Sequence, residues 1–212
     1  MEMETLLPIA LSLVLAYFLG AIPTGYWAGK LLKGIDIREH GSKNMGATNV
    51  LRVLGKGPGL AVLIIDIVKG ILPLTVIANI LGITDPLALV LIGIAAVAGH
   101  NWTVFLGFKG GKGVATTLGV LIGLAIQIPG IRPVLLLTVG IWLLLFSTTG
   151  FVSLASMTAA VALPILMVTY NAPFPLKVMA ILLCIFIILR HRANLSRLIK
   201  GQENRIKLPY LK

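Results

Sequence analysis

The chain has 212 residues, is 58% hydrophobic and carries a formal net charge of +11. Apolar content this far above that of a soluble domain indicates a polytopic membrane protein, and the length suits a single membrane-embedded domain over residues 1–212. A single cysteine, Cys184, excludes a disulfide framework and a thiol–metal cluster. The basic charge, gathered between apolar runs and at the C-terminus, points to a lipid bilayer and not to nucleic acid.

Residues 5–29 are uncharged and long enough to span a bilayer. Glu2 and Glu4 precede this run and Lys30 and Lys33 follow it, the reverse of a signal peptide, so it reads as a retained helix with its N-terminus outside. Residues 30–56 read as a polar loop. A second span covers residues 58–82, with Asp66 and Lys69 at i, i+3 inside it as a structural ion pair. Residues 82–86, Gly-Ile-Thr-Asp-Pro, form a turn, and a third span covers residues 86–104. A glycine-rich stretch separates it from a fourth span over residues 114–128, which Pro129-Gly130 ends.

Residues 133–176 contain no Asp, Glu, Lys or Arg, and these 44 residues must cross twice. As helix they would reach roughly 66 Å, twice the hydrocarbon thickness. The break falls at Ser147-Thr148-Thr149-Gly150, and Asn171-Ala172-Pro173 ends the sixth span. The seventh covers residues 174–189, before a basic tail. The expected fold is therefore all-α with seven transmembrane helices, N-terminus outside and C-terminus cytoplasmic. Six basic residues in the first loop, two after the third span and seven in the tail set fifteen inside against Arg132 and Lys177 outside. Trp27, Trp102 and Trp142 sit near span ends and suit interface anchoring, and Arg205, Lys207 and Lys212 suit headgroup contacts.

Three polar clusters then share the cytoplasmic side: GSKNMGATNVLR (residues 41–52), GHNWTVFLGFKGGKGVAT (99–116) and HRANLSRLIKGQE (191–203). In the second, Gly110, Gly111 and Gly113 surround Lys112 just before a helix that should start near Val114. Glycine backbone amides, a lysine and a helix N-terminus together read as a phosphate cradle. It is not a Walker loop, because Leu106 and Gly113 stand where that pattern needs glycine and a hydroxyl. The first cluster adds Ser42, Asn44, Gly46, Thr48, Asn49 and Arg52. The third adds His191 and Asn194, which share a helix face. Many donors and few carboxylates suit an anionic ligand with more than one phosphate group, and no His/Asp/Glu spacing resembles a metal site. His100 reads as a hydrogen-bonding residue at a helix end.

Those three segments, in that order, resemble the motifs of the bacterial acyl-phosphate-dependent glycerol-3-phosphate acyltransferases, the PlsY family, and the resemblance runs along the whole chain. It implies transfer of a fatty acyl group from acyl phosphate to the 1-hydroxyl of glycerol 3-phosphate. The products are lysophosphatidic acid and phosphate, no cofactor is needed, and the site lies at the cytoplasmic face of the inner membrane, supplied by an acyl-phosphate-producing enzyme. It assigns catalysis to His191, Asn194, Lys112 and Ser42. Substrate binding falls to Asn44, Gly46, Thr48, Asn49, Arg52, Lys109, Gly110, Gly111, Gly113 and Ser153, with Ser156 as the alternative to Ser153. His191 either accepts the proton or orients the hydroxyl, the substrate's own phosphate being the other acceptor. Lys43 stands where the family usually has glycine, and Thr103 where proline is common. The rival reading is an organic-phosphate transporter, which would more often show an internal repeat and polar groups at mid-membrane.

Overall fold

The computed structural model describes residues 3–206 and is all helical. The charge of Glu2 and the headgroup role expected of Lys207 and Lys212 fall outside the described residues. The chain forms two compact units, Met1–Gln127 and Ile128–Lys212.

In the first unit, α1 (Met3–Ala21) and α2 (Thr24–Lys33) lie within one apolar stretch, Leu6–Lys33. The uninterrupted span expected over residues 5–29 is instead broken at Ile22-Pro23. Proline has no N–H to donate and pushes the residue before it out of helical geometry. The carbonyls released there lie deep in an apolar stretch, where an unpaired one is costly. Ile22 O accepts from Thr24 N at 3.0 Å, and two side chains from elsewhere complete the pairing. Thr103 Oγ1 donates to Ala21 O at 2.6 Å, and Lys69 Nζ donates to Ile22 O at 3.0 Å. Thr103, in the place where proline is common, thus does more than shape the end of its own helix.

The expected loop of residues 30–56 contains a 3₁₀ turn (Ile37–Glu39) and α3 (Ala47–Leu54). The second span is α4 (Lys56–Leu72), a π-helical turn (Pro73–Ile77) and α5 (Ala78–Ile80). The π turn begins at Pro73, whose ring removes an i→i−4 donor. α6 (Pro86–Asn101) is capped by Asp85, whose carboxylate accepts from Ala88 N at 2.9 Å. α7 (Val114–Gln127) starts where the glycine-rich stretch predicts.

Small residues bring these helices close. α1 and α6 pack so that a Cβ on Gly20 would strike the Ala96 backbone, and one on Gly99 the Tyr17 backbone. α4 and α7 meet in the same way through Gly70 and Gly119.

The second unit holds α8 (Arg132–Thr149), α9 (Val152–Thr169), α10 (Phe174–Arg190) and α11 (Arg192–Ile199), with α9 packed on α8 and α10. The turn predicted at residues 147–150 is present. Ser147, Thr148 and Thr149 hydroxyls bond to the Leu144 and Leu145 carbonyls, and Gly150 takes φ 72°. α10 and α11 meet at His191 with a 60° bend.

Among the described residues five helices are long and apolar enough to cross a membrane, or six if the bent α10–α11 pair is one span. α7, the expected fourth span, has 14 residues. Gly113 before it and Pro129 after it set its length, about 21 Å as helix.

Lys69 and Asp66 form a 2.8 Å ion pair with both side chains 2% exposed, as the sequence suggests. Lys69→Met leaves a buried carboxylate uncompensated and should cost about 3–5 kcal/mol. The double variant Asp66→Leu/Lys69→Met should recover only part of that loss, because the bonds to the Ile22 carbonyl and from the Thr24 hydroxyl go with the pair. Thermal unfolding of the detergent-purified proteins checks both.

Candidate active site

The first unit carries two of the three polar segments. The first segment is organised from inside by Asn49, which is 1% exposed. Its Oδ1 accepts from Ser42 N at 2.7 Å, and its Nδ2 donates to the carbonyls of Asn44 (2.7 Å), His40 (3.0 Å) and Ile37 (3.1 Å). The Asn49 amide, expected to bond a ligand, is therefore committed to the loop itself. Asn44 Oδ1 accepts from Gly46 N at 2.7 Å, which shapes the entry to α3. Asp36 caps the preceding turn and pairs with Arg38 at 2.7 Å. The Arg38 hydrogen bond holds its carboxyl below the usual aspartate range.

This scaffold leaves Ser42 and Lys43 exposed, with Thr48 and Arg52 half-buried one turn apart on α3. Lys43 adopts φ 57°, the left-handed region that favours glycine. That accounts for the glycine usual at this place and makes Lys43 a locally strained substitute.

The second segment packs onto the first. Leu106 lies against the buried cluster of Ile37, Met45, Val50 and Val62. Lys109 is exposed and Lys112 half-buried. The glycines beside Lys112 differ from the cradle the sequence suggests. Gly110 N donates to Asn101 O and Gly111 N to His100 O, each at 3.1 Å. These two amides serve the end of α6 and are not ligand donors. A Cβ on Gly110, Gly111 or Gly113 would strike His100 or Asn101, so the glycines are needed for close packing.

The second unit carries the third segment and Ser153. His191, 3% exposed, sits at the α10–α11 bend with Nδ1 2.8 Å from Ile187 O. A bond to a carbonyl puts the proton on Nδ1, so in the neutral ring Nε2 is the acceptor. Asn194 Nδ2 donates to Glu203 Oε1 at 2.6 Å, Ser153 Oγ to the same oxygen at 2.9 Å, and Arg197 Nε to Oε2 at 2.7 Å. Gly201, at φ 66°, reverses the chain after α11 toward this carboxylate. Burial works to raise the Glu203 pKa, but the bonds from Asn194, Arg197 and Ser153 outweigh it and hold the carboxyl below its ordinary range.

Glu203 thus joins Ser153 and Asn194. No role is assigned to it from the sequence, although it closes the third motif. Ser156 instead donates to Val152 O at 2.7 Å and accepts from Trp142 Nε1 at 3.1 Å, tying α9 to α8. Arg205, expected at lipid headgroups, lies over the Phe151 ring at 4.7 Å.

A family model described as glycerol-3-phosphate acyltransferase matches residues 10–201. The chain belongs to the glycerol-3-phosphate acyltransferase family. It is 46% identical over 195 residues to a glycerol-3-phosphate acyltransferase of Fusobacterium nucleatum, covering 92% of this chain and 96% of that protein. A Synechococcus elongatus protein of the same name is 47% identical over 209 residues, covering 95% and 96%.

Two crystal structures of PlsY (YgiH), an integral membrane glycerol 3-phosphate acyltransferase, are 41% identical to it. The glycerol 3-phosphate form superposes with a TM-score of 0.84, covering 94% of this chain and 96% of that one. The lysophosphatidic acid form gives 0.81, covering 94% and 95%. The resemblance carried by the three motifs is thereby confirmed, and this chain is an acyltransferase of the membrane. Within the family frame, Asn49 and Glu203 are the residues that shape two of the motifs.

Because its pKa is depressed in the fold, Glu203 adds stability that is present above the unfolded-state value. That stability is lost as pH falls through the folded one. Glu203→Gln should lower the melting temperature at neutral pH, with the gap to the parent closing in acid. A gap unchanged between pH 7 and pH 4 in a melting series would contradict this.

Proposed function

We propose that the protein transfers a fatty acyl group from acyl phosphate to the 1-hydroxyl of sn-glycerol 3-phosphate, as the first step of membrane phospholipid synthesis. The observation that carries the reading is the match along 94% of the chain to one enzyme in a glycerol 3-phosphate form and a lysophosphatidic acid form. These are the acceptor and the product of a single acyl transfer. The protein acts as one domain with seven spans, N-terminus outside and C-terminus cytoplasmic, and works at the cytoplasmic face of the bacterial inner membrane. An enzyme that makes acyl phosphate supplies the donor, and neither metal nor cofactor takes part.

The chemistry needs little from the protein. Acyl phosphate is a mixed anhydride with a good leaving group, so no covalent enzyme intermediate is required. The acceptor hydroxyl oxygen attacks the acyl carbon, the bond from that carbon to the phosphate oxygen breaks, and inorganic phosphate departs with the bonding electrons. The catalytic contribution is orientation and stabilisation of the developing negative charge.

In this reading Ser42, Thr48 and the Asn44–Gly46 turn bind the acyl phosphate. Arg52 and Lys112, with Lys109, hold the phosphate of glycerol 3-phosphate. His191 and Asn194 orient the acceptor hydroxyl, with Ser153 set beside Asn194 by Glu203. The hydroxyl proton passes either to His191 Nε2 or to a phosphate oxygen of the donor.

Competition among acyl phosphate, acyl-CoA and acyl carrier protein thioester, with the purified protein, tests the donor. Acyl phosphate should support turnover in the presence of EDTA. Turnover with acyl-CoA and none with acyl phosphate would overturn the reading.

Charge-assisted bonds to phosphate contribute about 1.5–3 kcal/mol, so Lys112→Ala should lose roughly ten- to more than a hundredfold in kcat/KM. General base catalysis contributes about 10²–10⁴-fold, which sets the loss expected of His191→Ala if His191 takes the proton. If His191→Gln keeps part of the activity but loses the acidic limb of the pH–rate profile, the histidine titrates without being an obligatory base. A limb that survives in that variant assigns the proton to the donor's phosphate.

A further inference from the structure

Three glycines flank Lys112, and all three lie against the last two residues of α6. Gly110 rests on the backbone of His100 and Asn101, Gly111 on the edge of the His100 ring at Nε2, and Gly113 on the Asn101 amide. Two backbone bonds fasten the contact, from Gly110 N to Asn101 O and from Gly111 N to His100 O. His100 and Asn101 are 3% and 1% exposed, so neither side chain can swing out to solvent to make room.

On its other side the ring faces a carboxylate. His100 Nδ1 lies 3.8 Å from Asp66 Oδ1. That oxygen is held in turn by Lys69 Nζ at 2.8 Å and by Thr24 Oγ1 at 2.6 Å. The imidazole is therefore a rigid spacer with the Asp66 carboxylate behind it and the Gly111 backbone in front. Lys112 is the next residue along the chain, so the thickness and orientation of this ring set where the Lys112 backbone can lie.

We propose that His100 is a positioning residue, a buried imidazole spacer between Asp66 and Gly111 that sets the placement of Lys112 for its phosphate ligand. The proposal rests on the reading of Lys112 as a phosphate-binding group. It explains the glycine at position 111 by the ring behind it, and not by an approaching phosphate. A displacement of about 1 Å at a binding group costs as much as a hundredfold in rate, so a side chain far smaller than a ligand has a large effect here.

A size-swap experiment separates the two explanations. Gly111→Ala puts a methyl group where the ring stands. It should lower kcat/KM by roughly ten- to a hundredfold, chiefly through a raised KM for glycerol 3-phosphate. Combining it with His100→Ala opens the space again, so the double variant should regain at least about tenfold over Gly111→Ala alone. If the two losses multiply, or the double variant is no better than Gly111→Ala, the spacer role is wrong and Gly111 serves the ligand directly.

A second measurement covers a Gly111→Ala protein that folds poorly. The melting temperature and recovered yield of the double variant should exceed those of Gly111→Ala, and equal or lower values would overturn the proposal. Should the parent protein transfer no acyl group from any donor, the functional reading fails, while the melting comparison still decides whether His100 is the spacer.

Discussion

The Asp66–Lys69 ion pair is the contact on which the first unit turns. Moving two charges into an apolar interior is expensive, and the attraction between them does not by itself return a surplus. What the pair returns is geometric. Lys69 reaches across to the Ile22 carbonyl beside Pro23, and Asp66 takes the hydroxyl of Thr24 on the far side of the same break. The two-residue break at Ile22-Pro23 is thereby paired inside an apolar stretch. Thr103 completes the repair from the end of α6. With the break secured, α2 leads into the loop that holds Ser42 through Arg52. Asp66 also faces the His100 ring, whose Nδ1 lies 3.8 Å from Oδ1.

The polar segments share a second device, in which a buried side chain ties backbone or neighbouring groups into one knot. In the first unit Asn49 gathers Ser42, Asn44, His40 and Ile37. In the second, Glu203 gathers Ser153, Asn194 and Arg197. Each organiser uses its own hydrogen-bonding capacity on the protein. The chemistry therefore falls to the neighbours it arranges, and an inventory of polar residues alone overstates how many groups are offered to a ligand. Loops tied in this way keep a defined shape without regular secondary structure, which a site working by orientation requires.

Much of this was legible from residue order because it is local. Apolar run lengths, Pro129, Gly150 and Asn171 placed the helix ends, and the start of α7 followed from the glycines before it. The i, i+3 spacing of Asp66 and Lys69 gave their pairing. What could not be read was long-range. Thr103 looked like a helix-end substitution because its partner, Ala21, lies 82 residues away. Glu203 looked isolated because Ser153 lies 50 residues back and is reached only through the reversal at Gly201. The glycines around Lys112 signalled close approach correctly but not the thing approached, since a helix end and a phosphate make the same demand on a backbone. Asn49 was misread for a related reason: an amide in a polar loop looks the same whether it faces inward or outward.

The repair of the first span also imposes an order on biogenesis. Ala21 and Ile22 leave the ribosome long before Lys69 and Thr103, the residues that satisfy their carbonyls. Until those residues follow, neither side-chain bond can form, and the Ile22 carbonyl has the Thr24 amide at 3.0 Å. Until they arrive, the Ala21 carbonyl is better served by water near the Pro23 region than by hydrocarbon. Both side-chain bonds require α4 and the segment after α6 to be in place. Part of the pairing within this apolar stretch is thus a product of assembly and not of insertion.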